Sequence, residues 1–185
     1  LQHNPKMAKE YAGVTRKTTG GKIQWTGKIN YDAKRLMLPL IIKRPTVWFV
    51  NSMSDLFHEF VPDMLIYEAF QVMAKCHHHT FQVLTKRPER MLAFCNQVHY
   101  SEKGTAHINH PCISFGSLGK PIPVPNIWLG VSVENQATAG ERIPLLLQVP
   151  AAVRFLSCEP LLGPIEFINH DLLHRTKTLA GIDWV

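Results

Sequence analysis

No apolar run in the sequence approaches the roughly 20 residues needed to span a bilayer, so no transmembrane segment and no membrane partner are predicted. Nothing near Leu1 has the charged, apolar and small-residue regions of a signal peptide. Cysteine is sparse: Cys76, Cys95, Cys112 and Cys158 lack paired spacing, and a chain of this size does not need disulfide staples, so a reducing cytoplasm is expected. There is no glycine-rich phosphate loop and no nucleophile elbow, which leaves a doubly wound hydrolase or transferase without support. Internal repeats and low-complexity tracts are also lacking. With 45% apolar and 18% charged residues, wholesale disorder, a collagen-like chain and a coiled coil are disfavoured.

What is present is enough chain for one core. At roughly 150 residues per domain, the 185 residues predict a single domain over 1–185. The net charge of +6 is unevenly spread: residues 1–44 carry ten Lys and Arg against Glu10 and Asp32, a balance of +8, which leaves -2 for the rest. Such asymmetry points to a polyanionic partner, nucleic acid foremost, for residues 1–44. A solvated basic surface would look the same in sequence. Both ends look cut, because Leu1 is not an initiator methionine and Gly181 to Val185 stops within an apolar run. An internal fragment is therefore expected.

Continuous apolar runs at Val47 to Asn51, Phe81 to Thr85, Ile127 to Val133 and Val153 to Ser157 read as strands covered on both faces, with a weaker first strand at Lys22 to Ile29 and another beginning at Ile182. Helices are predicted between them. Asp32 to Leu40 is one, Pro62 opens another to about Lys75, and Pro88 opens a third. Asn135 caps Gln136 to Arg142, after which Pro144 should kink the chain or start a short helix at Leu145 to Gln148. The spacing fits βαβ units in a parallel sheet, and residues 99–125, rich in Gly, Pro, His and Ser, read as an inserted loop.

In parallel α/β folds, ligands sit at the carboxyl ends of strands, where loops and helix N-termini converge. Four successive strand ends are polar here: Asn51-Ser-Met-Ser-Asp55, Thr85-Lys-Arg87, Ser132-Val-Glu-Asn135 and Ser157-Cys-Glu159. Helix capping explains one such end more simply than a site does. Four together favour a site, with Lys86 and Glu159 as its ionisable members.

The runs Phe49 to Glu59, Phe81 to Arg90, Trp128 to Gln136 and Arg154 to Gly163, with Asn4-Pro5, Thr15-Arg-Lys17 and Asp183-Trp-Val185, resemble an uncharacterised phage-associated family of bacterial and viral proteins. That family resembles radical S-adenosylmethionine enzymes, especially the spore-photoproduct-lyase-like branch. The resemblance implies a partial parallel β/α barrel, similar to a TIM barrel, truncated at both ends. It also implies S-adenosylmethionine and a four-iron four-sulfur cluster as cofactors of the full-length parent. The reduced cluster would convert S-adenosylmethionine to a 5'-deoxyadenosyl radical that abstracts hydrogen from an unknown substrate.

Three clustered cysteine thiolates are needed for such a cluster, and the four here are wrongly placed. The resemblance puts that loop upstream of Leu1 and implies that the fragment alone is inactive, with no metal ligands of its own. It assigns Ser54, Asp55, Lys86 and Ser132 to S-adenosylmethionine: the lysine to its carboxylate, the hydroxyls to ribose or carboxylate oxygens. Trp25-Thr-Gly27 would take the place of a glycine motif that binds the amino group. Glu134 and Glu159 are candidates for substrate contact or proton transfer, or else helix-dipole partners. The alternative to an enzyme is a non-catalytic nucleic-acid-binding module using its basic N-terminal segment.

Some clusters have plainer readings. Cys76-His-His-His79 lies between a helix and the next strand, at the end opposite the expected site. His107 to Cys112 offers three ligands on that same end. His58 beside Glu59 could be catalytic or a surface pair.

Overall fold

The computed structural model describes residues 12–96, 113–115, 121–167 and 181–185. In chain order the elements are β1 (Thr15–Lys17), β2 (Ile23–Trp25), α1 (Ala33–Ile41), β3 (Val47–Val50), α2 (Asp63–Lys75), β4 (Thr80–Thr85), α3 (Pro88–Asn96), β5 (Ile113–Phe115), β6 (Pro121–Pro123), β7 (Ile127–Ser132), α4 (Gln136–Gln148) and β8 (Val153–Ser157). The fold is mixed α/β. Strands β3, β4, β7 and β8 form a parallel four-stranded sheet in chain order, as the apolar runs predict.

Register and side-chain alternation explain how this sheet is covered. Phe81 pairs with Ile127, Val83 with Leu129, and Thr85 with Val131, which pairs in turn with Leu156. Successive side chains point to opposite faces, so these residues share one face. All but Thr85, which is buried among them, belong to the same apolar cluster as Ile66, Phe70 and Met73 of α2, Met91 and Phe94 of α3, and Ala139 and Leu146 of α4. The helices therefore cover one side of the sheet. At their centre Phe57, Phe70 and Phe94 meet with ring centroids 5.4 to 6.2 Å apart. Each is essentially fully buried, a gain of about 1.5–3 kcal/mol per side chain.

The helices form where their ends are provided for. Asp63 in the first turn of α2 and Lys75 in the last complement the helix dipole. Ile66, Ala69, Phe70 and Met73 recur at helical spacing on its buried face. Asp32 caps α1 by accepting from the Lys34 and Arg35 amides. Asn135 and Thr138 form a reciprocal capping box on α4. α4 runs on past Pro144 to Gln148, so no separate helix starts at Leu145.

Phe49, Leu84, Gly130 and Phe155 alternate onto the other face. Phe155 is 1% exposed, yet it lies outside the helix-side cluster. Its ring lies over Gly130, where a Cβ would come within 2.7 Å of it, so only glycine admits this packing. Trp184 covers the ring from the far side at a centroid distance of 5.6 Å. Residues 181–185 bridge β8 in parallel, with Leu156 N–H donating to Trp184 O and Asp183 N–H to Arg154 O, both at 2.9 Å. The strand expected from Ile182 thus begins beside β8.

The strand expected at Lys22 to Ile29 shortens to β2, which pairs antiparallel with β1 and not with the parallel sheet. The reason is local. Thr18-Thr-Gly-Gly21 closes the turn, with Gly21 at φ +75°, and the Thr18 amide donates to Lys22 O at 2.8 Å. Trp25-Thr-Gly27 consequently ends a hairpin instead of a sheet strand. Of the expected insertion at 99–125, β5 and β6 pair antiparallel, while 99–112 and 116–120 lie outside the described residues. No helix among the described residues is long and apolar enough to cross a membrane.

Candidate functional site

Ser132 and Ser157 share the parity of Gly130 and Phe155, on the face away from the helices, and Asn51, Lys86, Glu134 and Glu159 follow the strand ends at the same carboxyl edge. Ser132 and Ser157 are register partners, and the ladder runs one step further, with Val133 N–H donating to Ser157 O at 2.9 Å. The sheet therefore brings together most of the residues selected from sequence.

An ion-pair network occupies the centre of this edge. Lys86 Nζ lies 2.5 Å from Glu134 Oε1, and Arg142 Nη1 lies 3.0 Å from Glu134 Oε2. Oε1 is a buried atom whose partner is the Lys86 ammonium. Glu134 has a side chain only 8% exposed, while that of Lys86 is 52% exposed. Burial pushes the Glu134 carboxyl up, but Lys86 at contact distance and the Arg142 charge outweigh it and hold the group below the usual carboxylate range. Glu134 is accordingly an anion at neutral pH. Its two cations leave the triad with a net positive charge facing the rim.

Arg142 escaped the sequence reading. It also donates to Ser132 O at 2.7 Å, tying α4 to the end of β7. A signal existed: Ala139 and Leu146 are buried on α4, and position 142 falls between them at helical spacing. A cation on an apolar helix face implies a buried partner.

Asp55 holds two strand ends together. It accepts from the Thr85 hydroxyl at 2.8 and 3.0 Å, the Phe57 and Lys86 amides at 2.9 and 3.1 Å, and Arg87 Nη1 at 2.9 Å. With both oxygens engaged, it fixes the peptide from which the Lys86 side chain springs. Asn51 turns the chain out of β3 at φ 57°, a left-handed conformation that asparagine tolerates, and its carbonyl accepts from the Ser54 amide at 2.9 Å. Ser54 and Glu159 are exposed, whereas Ser132 is 4% exposed. His58 Nδ1 accepts from the Phe60 amide at 3.3 Å, a local turn contact.

The cysteines stay apart. Cys76 is buried after α2, Cys95 is buried within α3, and Cys158 is partly buried after β8. Burial raises the thiol pKa of Cys76, against the opposing pull of the Lys43 charge, and raises that of Cys158. Neither is set up as a thiolate. At the amino edge of the sheet, His79 accepts from the Thr46 amide at Nδ1 (3.2 Å), and its Nε2 meets Pro39 O at 3.1 Å. The acceptor role of Nδ1 puts the ring proton on Nε2. His78 Nε2 meets Ile42 O at 3.0 Å. No group of three or more His, Cys, Asp or Glu able to hold a metal ion occurs among the described residues; His107 to Cys112 lies outside them.

Neither the curated proteins nor the solved structures contain a match to the chain. A family model, described as Protein of unknown function (DUF5131), matches residues 3–185. With nearly its whole length matched, the chain belongs to that family.

Proposed function

We propose that the chain is the barrel portion of a phage-associated, radical S-adenosylmethionine-like enzyme, and that it holds S-adenosylmethionine at the carboxyl edge of its sheet. The observation that carries this reading is the one-sided covering of a parallel sheet whose strands follow chain order. Such a sheet must curl or find other cover for its second face, and curling turns that face into the lining of a barrel. Asn51, Lys86, Ser132, Glu134, Ser157 and Glu159 then ring its mouth.

The donor set suits the carboxylate of an amino-acid group. The half-exposed Lys86 ammonium can meet that carboxylate, with the net positive triad behind it. Hydroxyls of Ser54 and Ser132 are suited to ribose or carboxylate oxygens. Asp55 acts through the strand end it pins and is a positioning residue. Glu134, held ionised, does not serve as an acid at neutral pH; exposed Glu159 is the rim carboxylate left for substrate contact or proton transfer. In this reading the bound group supplies hydrogen abstraction from a substrate.

The described cysteines do not fit a four-iron four-sulfur cluster: Cys76 lies at the amino edge, Cys95 inside a helix and Cys158 alone at the carboxyl edge. Its ligands would have to come from outside the described residues. Equilibrium dialysis of labelled S-adenosylmethionine against the full-length protein tests the proposal. Saturable binding displaced by S-adenosylhomocysteine supports it. No retention at ligand up to about 1 mM, where even a 4 kcal/mol interaction would show, overturns it.

A further inference from the structure

The fold divides the basic charge of the first 44 residues between two ends of the molecule. Helix α1 runs from Ala33 to Ile41, and its carboxyl end meets the amino edge of the sheet, where Pro39 O and Ile42 O contact His79 and His78. Lys43 and Arg44 follow directly and lie at that amino edge. Residues 27–31, just before α1, lie at the other end. A Cβ on Gly27 would come within 2.7 Å of Phe60, in the loop leaving the carboxyl end of β3, and Ile29 and Tyr31 share a groove with Phe60, Pro62 and Met64. The segment that leaves the β1–β2 hairpin is thus packed on the loop at the carboxyl end of β3.

Residues 12–31, which include this hairpin, carry Arg16, Lys17, Lys22 and Lys28 and not one acidic residue. All four cations are exposed or partly exposed. Thr18, Thr19 and Gln24 join Arg16 and Lys17 around an open concavity of about 310 Å³. Arg16 Nη2 donates to Gln24 Oε1 across the strands at 3.3 Å, which holds the guanidinium on the hairpin surface. Cations interspersed with hydroxyl donors, on a ribbon with no competing carboxylate, complement a row of phosphates.

We propose that the β1–β2 hairpin is a nucleic-acid contact surface that lays the phosphate backbone of a strand beside the carboxyl edge of the sheet. Phosphate contacts of this kind position a strand without reading its bases, so little sequence preference follows from them. The inference concerns what reaches that edge and stands whether or not S-adenosylmethionine binds there.

The test is fluorescence anisotropy of labelled mixed-sequence DNA and RNA, single-stranded and duplex, with the full-length protein over a range of salt. Four phosphate contacts predict that duplex affinity falls about 100-fold between about 50 and 200 mM salt. The variant Arg16→Gln, Lys17→Gln, Lys22→Gln, Lys28→Gln should lose most of that salt dependence and at least about tenfold in affinity at low salt. Lys75→Gln and Lys43→Gln, each removing one charge at the amino edge and so matched to the single hairpin variants, should bind as wild type. The single variants Lys22→Gln and Arg16→Gln, each expected to reduce the salt slope by about one, serve if the fourfold variant does not fold. Absence of binding at low salt overturns the proposal. So do an equal loss in the amino-edge variants and binding to anionic vesicles but to none of the nucleic acids.

Discussion

The two edges of the parallel sheet are both polar, yet they use their polar groups differently. At the amino edge, His79 is 2% exposed and both ring nitrogens are spoken for by backbone groups of Thr46 and Pro39. Its ring also packs against Trp48 and Phe81, with centroids 5.7 and 6.0 Å away. At the carboxyl edge, Glu134 is nearly as buried, but one of its two cations, Lys86, is half exposed. A buried polar group closed in by backbone partners stabilises a fold; a buried anion that holds a solvent-reachable cation presents that cation to a ligand. This contrast, more than residue type, separates the histidine run from the site.

The largest effect should come from the filled edge. His79→Ala removes a buried ring and strands the Thr46 amide and the Pro39 carbonyl, each costing about 1–3 kcal/mol, so urea unfolding should shift by about 3–4 kcal/mol while ligand binding by the folded fraction is unchanged. A shift below about 1 kcal/mol would show that the amino edge is not built around this ring.

Asp55→Ala should be next, at about 2–3 kcal/mol, because the Thr85 hydroxyl and two amides lose a charged acceptor. Arg87 adds little, its side chain being 38% exposed and screened by water. This change should also weaken binding at the carboxyl edge, since the Lys86 amide is one of the stranded groups. Loss of stability with intact binding would separate Asp55 from the site.

The smallest effect is confined to acid. The pKa of Glu134 is lowered in the fold, so its ionic contribution is present above the ordinary carboxylate range and is lost as pH falls through the lowered value. The stability gap between wild type and Glu134→Gln, followed by urea midpoints, should be constant near neutral pH and close only below that range. A gap independent of pH down to acid unfolding would contradict the ion-pair network.

Much of the framework was legible because it rests on local signals. Uninterrupted apolar runs marked β3, β4, β7 and β8 to within a residue, and Pro62, Pro88 and Asn135 marked helix starts. The hairpin was misread because its strands are only three residues long and β1, Thr15–Lys17, is wholly polar. The rim residues followed from strand ends and alternation. Their partners did not: Lys86 and Glu134 are brought together by the β4–β7 register across an insertion that no local pattern measures. Arg142 required reading a charge against the apolar face of its own helix.

The central claim is that the carboxyl edge binds the ligand and the amino edge builds the fold. Titration calorimetry of S-adenosylmethionine into full-length wild type, Lys86→Ala and His79→Gln tests it most directly. With half of Lys86 exposed before binding, its loss should weaken affinity at least about tenfold, the low end for a broken charge pair, while folded His79→Gln binds as wild type. Wild-type affinity in Lys86→Ala, or equal loss in both variants, would contradict the account.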